Sequence, residues 1–347
     1  MTGAEVLLAE IGEQPGVLER IRGDGSIVGL AARLAAEPPS LVRLAAHGSS
    51  DNAATYGIYA FGRLAGRTAL RDSISMPVYD GVRLGARGEL AIALSQSGET
   101  PDVVTWLQAM AEAGATTVAI TNVPGSPLAR AASAVVTLGA GEERSVAATK
   151  TYTAELAVLA RLAAHAGGRG AALDDALGAT IELAGEAIAS LPAVVEPVAE
   201  ALAWAERLMV TARGPEFATA REIALKLTEL CRLGGVAMTA TDLAHGPIAA
   251  LDERFPVWIS AARDGSLEAV REAVERIAAS GAPIVAAGPG AATLGARHAI
   301  ELPPAPDPLL SPLLSVLPGQ LFAAALARAK RLDAGAPRNL HKVTLAR

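Results

Sequence analysis

Short apolar runs alternate with amphipathic helical patterns along the first half of the chain. The runs have the length and character of buried strands, and they occupy residues 41–46, 69–71, 90–94, 116–121 and 134–138. After residue 100, Val103, Leu107 and Met110 recur at the spacing of one helix face. Strands that alternate with helices in this way predict an α/β fold, in which crossover helices connect the strands of a parallel sheet.

Helical periodicity also extends beyond this alternating region. Residues 4–36 predict two helices separated by Pro15 and Gly16, and residues 172–205 predict helices interrupted by Pro192. Residues 309–330 form a strongly apolar helical pattern. The tail that follows is polar and has no period, and taken alone it has the character of a frayed chain end.

The second half of the chain repeats the pattern of the first. Strand-like and helical runs recur in the same order at 208–212, 257–260 and 267–279. Gly48 and Gly214 stand 166 residues apart in the two halves, and Gly114 and Gly281 stand 167 residues apart. Two copies of one α/β unit are the simplest explanation, and a coincidence of glycines is the alternative.

Composition and charge narrow the functional classes. Of the 347 residues, 51% are hydrophobic, which is enough for a large core, and the net charge of −6 argues against a nucleic-acid surface. Cys231 is the only cysteine, so no intrachain disulfide can form, as is usual in a reducing compartment. No signal peptide and no apolar run of bilayer length are found, so we expect a cytoplasmic protein without membrane contact.

A polar turn separates the central strand from the helix after it. Ser95-Gln96-Ser97-Gly98-Glu99-Thr100 stands between the apolar run and a helix that begins at Pro101. A helix start offers unpaired N–H groups and the positive end of a dipole, and these side chains add neutral donors, which suits a phosphate dianion. The turn has no lysine and no Walker motif, which disfavours a nucleoside triphosphate, and an ordinary polar turn is the alternative. Residues 261–265 lack these donors in the second copy, so we expect one phosphate site.

Two further segments could carry chemistry. Lys226 and Glu229 are three residues apart in a helical pattern, so they share a helix face, although a surface ion pair explains that spacing equally well. His245 precedes Gly246 and Pro247 at an expected helix start. Histidine changes its charge near neutral pH, but a lone histidine in this context is more often structural.

Six segments together resemble one protein family. They are Gly48-Ser49-Ser50, the polar turn at 95–100, and residues 142–150, 224–229, 243–247 and 337–344. In this order they are similar to the motifs of the sugar isomerase (SIS) domain family, in particular the isomerase half of glutamine–fructose-6-phosphate aminotransferases and the SIS-type glucosamine-6-phosphate deaminases. The resemblance implies two tandem SIS domains, over residues 1–170 and 171–330, and a tail over 331–347 that carries Lys342.

The resemblance also implies a role for each matching residue. The positions that match phosphate-binding residues are Ser50, Ser95, Gln96, Ser97 and Thr100. Val146 and Ala147 match backbone contacts to the sugar. Glu229 matches the base that moves a proton between C1 and C2. Lys226 matches a polar partner near the reacting carbons. His245 matches the residue that opens the sugar ring, which a neighbouring subunit supplies in the family. Lys342 matches the lysine that forms a Schiff base with the open-chain ketose.

This chemistry suits the residue types. A carboxylate screened from water can both take and return a proton, and histidine can assist ring opening near neutral pH. The resemblance implies no metal or other cofactor. It implies a phosphorylated sugar as the ligand and a homodimer with a shared active site. The chain departs from the family at three places. These are Ala148, Asp242 and residues 233–236, which stand where the family has the polar segment Ile-His-Ala-Glu.

We therefore expect an enzyme that converts glucosamine 6-phosphate to fructose 6-phosphate and ammonia. The sequence shows no glutaminase domain ahead of these motifs, which favours deamination or isomerisation over glutamine-dependent synthesis. Two alternatives stay open. The altered residues at 233–236 fit a fructosamine-phosphate deglycase or another phosphosugar isomerase, and SIS domains also serve as sugar-phosphate sensors without turnover.

Overall fold

The computed structural model describes residues 2–82, 84–262, 265–335, 337–340 and 342. Within these ranges the strands are β1 (Val42–Ala45), β2 (Ala69–Arg71), β3 (Leu90–Leu94), β4 (Thr116–Thr121), β5 (Ala134–Thr137), β6 (Arg207–Ala212), β7 (Gly234–Thr239), β8 (Val257–Ser260), β9 (Ile284–Gly288) and β10 (His298–Glu301). Arg263 and Asp264 of the second-copy turn, and His341, Val343 and Thr344 of the tail motif, lie outside the described residues.

The helices follow the strands in the order that crossover connections require. They are α1 (Gly3–Gly12), α2 (Gln14–Arg22), α3 (Gly25–Ala36), α4 (Gly48–Ala60), α5 (Ser75–Val78), α6 (Pro101–Glu112), α7 (Pro127–Ala131), α8 (Lys150–Ala166), α9 (Gly170–Ser190), α10 (Pro192–Ala201), α11 (Glu216–Cys231), α12 (Ala240–Ala244), α13 (Leu267–Ala279) and α14 (Ser311–Ala329). A π-helical turn at Phe61–Ala65 continues α4, and 3₁₀ turns lie at Pro247–Ala250, Ala291–Leu294 and Pro308–Leu310.

Two five-stranded sheets have the same strand order. The first is β2-β1-β3-β4-β5, and the second is β7-β6-β8-β9-β10. Every pairing in both sheets is parallel, and helices flank the sheets, so the predicted α/β class is confirmed. The glycine pairs also match in conformation, because Gly48 and Gly214 have φ of 58° and 61°, and Gly114 and Gly281 have φ of 92° and 80°.

Three strands of the second sheet have no counterpart in the strands assigned from hydrophobicity, namely β7, β9 and β10. The β7 strand begins with Gly234 and Gly235, and glycine is depleted in strands, so this segment has the composition of a loop. Gly235 is nevertheless required, because a β-carbon there would lie 2.3 Å from the carbonyl oxygen of Ala224 on α11. The departure at 233–236 is therefore the start of an edge strand that packs closely on a helix.

The N-terminal region contains three helices, whereas periodicity predicted two. Pro15 does not separate them, because it occupies the second position of α2, where its missing N–H has no intrahelical partner to lose. The additional break lies at Gly23 and Asp24. The Asp24 side chain caps α3 by accepting a hydrogen bond from the Ser26 N–H at 2.8 Å.

The described residues divide into two compact units. The described residues within 16–143 and 150–178, together with Lys342, form the N-terminal unit, and those within 2–15, 144–149 and 179–340 form the C-terminal unit. The N-terminal unit buries the apolar face of α6, including Trp106, Leu107 and Met110, against the first sheet. The C-terminal unit buries the corresponding face of α13 against β8 and β9, with Ile277 fully enclosed.

Helix α14 is almost entirely buried in the C-terminal unit, where it packs against α10 and α11. By length and composition alone, the segment Pro308–Ala329 could cross a membrane, and its apolar window is entirely buried inside the protein. The expectation that no apolar run reaches this length is therefore wrong. A helix that is apolar on all sides and enclosed on all sides has the properties of a core helix.

Gly319 allows α14 to approach α11 closely, and its replacement tests that packing. A β-carbon at residue 319 would lie 2.3 Å from Ile223 Cγ1, so we expect Gly319→Ala to lower the free energy of unfolding by about 1–3 kcal/mol. Gly29→Ala is the matched control, because Gly29 is exposed within α3 and a β-carbon added there would have no other part of the protein within 4 Å. In urea unfolding, the control Gly29→Ala should raise the free energy of unfolding by about 0.5–1 kcal/mol. Equal shifts in both variants would contradict the packing argument.

Candidate active site

The polar turn at 95–100 forms a tight bend between β3 and α6. Ser95 Oγ accepts a hydrogen bond from the Gly98 N–H at 3.1 Å and lies 3.2 Å from Thr100 Oγ1. Gly98 has φ of 65°, and a β-carbon there would lie 2.1 Å from Ser126 Oγ, so only glycine fits. The Gln96 carbonyl accepts the Asn122 N–H at 3.0 Å, which joins the bend to the end of β4.

The start of α4 lies at the same edge of the first sheet. The neighbouring parallel strands β1 and β3 lead into α4 and α6, so both helices begin beyond their carboxyl ends. Ser50, in the first turn of α4, donates its hydroxyl hydrogen to Glu155 Oε1 at 2.7 Å. In this strand order, the point between β1 and β3 is where the chain reverses its direction across the sheet, which is the usual ligand position in such folds.

One side-chain contact joins the two helix starts. His47, the residue before α4, has its Nε2 atom 2.7 Å from Oδ2 of Asp102 in the first turn of α6. Neither His47 nor Thr100 caps its own helix through its side chain. The structure therefore brings the five predicted phosphate-binding residues, Ser50, Ser95, Gln96, Ser97 and Thr100, to one edge of the sheet, where two helix dipoles favour an anion.

The third motif, at residues 142–150, is held by buried carboxylates. The N–H groups of Arg144 and Ser145 donate to the Glu10 carboxylate of α1, at 2.5 and 3.1 Å. Glu10 is buried, and its charge-assisted bonds fix the backbone just before Val146 and Ala147. Ala147 is fully buried and Val146 is half-buried, and both lie in the C-terminal unit.

Lys342 is held in place by an ion pair, although its tail has the composition of a frayed end. Its Nζ atom lies 2.8 Å from Glu143 Oε2, and the Glu143 side chain is fully buried. Thr151 fixes that carboxylate from the start of α8 through its N–H at 3.2 Å and its hydroxyl at 2.8 Å. Sequence reasoning assigned Glu143 no role, and its place in the 142–150 motif was the available signal.

Lys226 and Glu229 form a partly buried cluster on α11 with a third residue. Lys226 Nζ lies 2.6 Å from Glu229 Oε2 and 3.4 Å from Glu222 Oε1. The Lys226 and Glu222 side chains are buried, whereas Glu229 keeps 20% of its side chain exposed. This is not the surface ion pair that the spacing also allowed. The i, i+4 spacing of Glu222 was the signal that could have identified the third member.

His245 ends a helix, although the sequence predicted that it would begin one. Thr239 caps α12 by accepting the Asp242 N–H at 3.1 Å, so that helix starts earlier, and Gly246, with φ of 143°, stops it. The His245 side chain is exposed and borders a cavity of about 170 Å³ lined also by Arg213 and Arg276. Lys226 and Glu229 are not among the described residues that line this cavity.

Cys231 is unsuited to nucleophilic chemistry, although it lies two residues after Glu229. Burial raises the pKa of its thiol to about 12, and Sγ donates to the Ala323 carbonyl at 3.2 Å. The reactive form of cysteine is the thiolate, so this side chain is inert near neutral pH. Its role is to pack between α11 and α14.

Comparison with known proteins agrees with this architecture. The SIS domain family model matches residues 42–165. A glutamine–fructose-6-phosphate aminotransferase of Thermus thermophilus is 35% identical over 97% of this chain, and that of Thermococcus kodakarensis is 32% identical over 97%. The chain spans 58% and 57% of the lengths of these two relatives.

This chain superposes on the whole length of one solved structure. A protein from Silicibacter pomeroyi DSS-3, provisionally assigned as a phosphosugar isomerase, is 30% identical and superposes with a TM-score of 0.83, covering 96% of this chain and 100% of that one. The glucosamine-6-phosphate deaminase of Thermotoga maritima is 20% identical, with a TM-score of 0.78 and coverage of 97% and 98%, which is a likeness of fold. With its matching motifs, its sheet order and these relatives, the chain belongs to the sugar isomerase (SIS) domain family.

Proposed function

We propose that this protein is an isomerase-type enzyme that converts glucosamine 6-phosphate and water to fructose 6-phosphate and ammonia. The observation that carries the proposal is the convergence of two helix starts beside the Ser95–Thr100 bend. Its hydroxyl and amide groups are neutral donors, and the two dipoles add positive potential, which suits a phosphate monoester. The names of the relatives supply the class of sugar.

We further propose two tandem SIS domains, with a boundary near residue 170 and a tail that carries Lys342. The shared strand order and the matching glycines support a duplicated unit. In this proposal Ser50, Ser95, Gln96, Ser97 and Thr100 hold the phosphate. Val146 and Ala147 offer backbone groups to the sugar.

Glu229 is proposed as the base. In the open-chain amino sugar, its carboxylate takes the proton from C2 and returns it to C1, while one proton passes from the amino nitrogen to O1. The aldehyde thereby becomes a hydroxymethyl group and the C2 amine becomes a ketimine. Water then adds to the C2=N bond, ammonia leaves, and the ketose phosphate remains. Lys226 lies 2.6 Å from this carboxylate and is well placed to balance its charge in the resting enzyme.

Lys342 and His245 are proposed to act on the open and closed forms of the sugar. The Lys342 amine would attack the C2 carbonyl of the ketose, and loss of water would give a Schiff base. Glu143 lies 2.8 Å from that nitrogen and can take a proton from the ammonium group, which frees the lone pair for attack. His245 is exposed, in keeping with ring opening in a neighbouring subunit of a homodimer.

An assay with candidate substrates tests the proposed reaction. Purified protein incubated with glucosamine 6-phosphate, without glutamine, should release ammonia and fructose 6-phosphate in equal amounts. Fructosamine 6-phosphate in a parallel assay tests the deglycase alternative. If only the second compound is consumed, the deaminase proposal is wrong. If neither is consumed while both raise the melting temperature, a sugar-phosphate sensor is favoured.

Replacing Glu229 tests the base. We expect Glu229→Gln to lower kcat by a factor of about 10² to 10⁴, because the amide cannot accept the C2 proton. Binding, measured as the shift in melting temperature with the sugar phosphate, should be retained. Glu182→Gln, at an exposed carboxylate of α9, is the control and should turn over normally. Full activity in Glu229→Gln would remove this residue from the mechanism.

Replacing Lys342 tests the Schiff base. Wild-type protein treated with fructose 6-phosphate and borohydride should gain the mass of one reduced sugar phosphate on Lys342, measured by peptide mass spectrometry. Lys342→Arg keeps the charge that pairs with Glu143 but cannot form an imine, so it should gain no adduct there. Lys330→Arg should react like the wild type. An adduct of equal yield in Lys342→Arg would assign the imine to another lysine.

A further inference from the structure

The His47–Asp102 contact lies at the edge of the sheet where the phosphate is proposed to bind, and the proposed reaction does not use it. His47 Nε2 is 2.7 Å from Asp102 Oδ2, with 56% of the imidazole side chain exposed and 12% of the carboxylate side chain. His47 directly precedes Gly48-Ser49-Ser50, and Asp102 lies two residues after Thr100. Both therefore belong to the helix starts that frame the site.

Carboxylates predominate at this edge of the sheet. The charged groups on the surrounding elements include Asp51 on α4, Arg71 on β2, Glu99 in the bend, Asp102 on α6, and Lys150 and Glu155 on α8. Arg71 is bound to Asp51, with Nε 2.7 Å from Oδ1, and Glu155 accepts the Ser50 hydroxyl. A phosphate dianion brought to this edge would be repelled by the Asp102 carboxylate unless a cation offsets that charge.

We propose that the His47–Asp102 pair makes phosphate binding at this site dependent on pH. The imidazole, when protonated, offsets the Asp102 charge and attracts the phosphate group. The neutral imidazole leaves that carboxylate uncompensated, so affinity falls as pH rises through the range in which histidine loses its proton. This inference rests on the phosphate site of the proposed function but not on the reaction assigned to it.

A purely structural role for His47 makes a different prediction. A neutral imidazole can donate an N–H to Asp102 and tie α4 to α6 without carrying a charge. A glutamine side chain can make the same bond and can never be charged. His47→Gln therefore preserves the tie and removes only the proton-dependent charge.

The test is calorimetric binding of inorganic phosphate and of glucosamine 6-phosphate at pH 6 and pH 8. We expect His47→Gln to raise the Kd of both ligands about tenfold at pH 6 and less than twofold at pH 8. The ionisation of the ligand itself is the same with both proteins. At each pH, the Kd of the variant divided by the Kd of the wild type therefore reports the effect of the imidazole alone. Urea unfolding at both pH values establishes that the variant is folded.

His165→Gln is the matched control. His165 Nε2 also contacts a carboxylate, Asp174 Oδ2 at 2.9 Å, but it lies ten residues beyond Glu155 on α8, about 15 Å along the helix. Its ratio of Kd values should be close to one at both pH values. An equal ratio at both pH values for His47→Gln would overturn the inference, as would wild-type protein that binds neither ligand.

The proposed function can fail separately. Phosphate binding with the expected pH dependence, in a protein that releases no ammonia from glucosamine 6-phosphate, keeps the inference and rejects the deaminase. Normal turnover with a Kd ratio that does not change with pH keeps the deaminase and rejects the inference.

Discussion

The parallel pairing of β1 with β3 is the constraint on which the candidate phosphate site depends. Two adjacent parallel strands end at the same edge of a sheet, so the helices that follow them must begin side by side. The bend at Gly98 is then forced by the end of β4 and by Ser126, which leave no room for a β-carbon. The hydroxyl and amide donors of the bend are thus held in place by backbone geometry.

Much of this arrangement could be predicted from the sequence, because it is encoded locally. The run at 90–94 is apolar without interruption, as a strand covered on both faces must be, and Pro101 begins α6 as expected. The strands β7 and β10 lie at the edges of the second sheet, where short or glycine-containing segments suffice. Their pairing is determined by neighbours distant in sequence, which periodicity does not report.

The chemistry of the candidate residues was harder to predict for the same reason. Lys226 and Glu229 have the spacing of a surface pair, and only the packing around α11 shows that the lysine is buried between two carboxylates. Lys342 stands in a tail without any pattern, and the contact that defines it involves Glu143, 199 residues earlier. Burial and long-range pairing are properties of the folded chain, so residue type and spacing could nominate these positions but not their surroundings.

The two sheets of identical order also bear on how such a chain can evolve. The second sheet keeps every strand of the first, yet its central strand runs into Ala261 and Ala262 where the first has Ser95 and Gln96. Strand pairing does not involve the side chains of these turns, so a duplicated unit can discard its ligand-binding turn while its sheet remains intact. In the duplication proposed here, one copy would keep the phosphate-binding turn while the other supplies Glu229 and His245, which would divide labour within a single polypeptide.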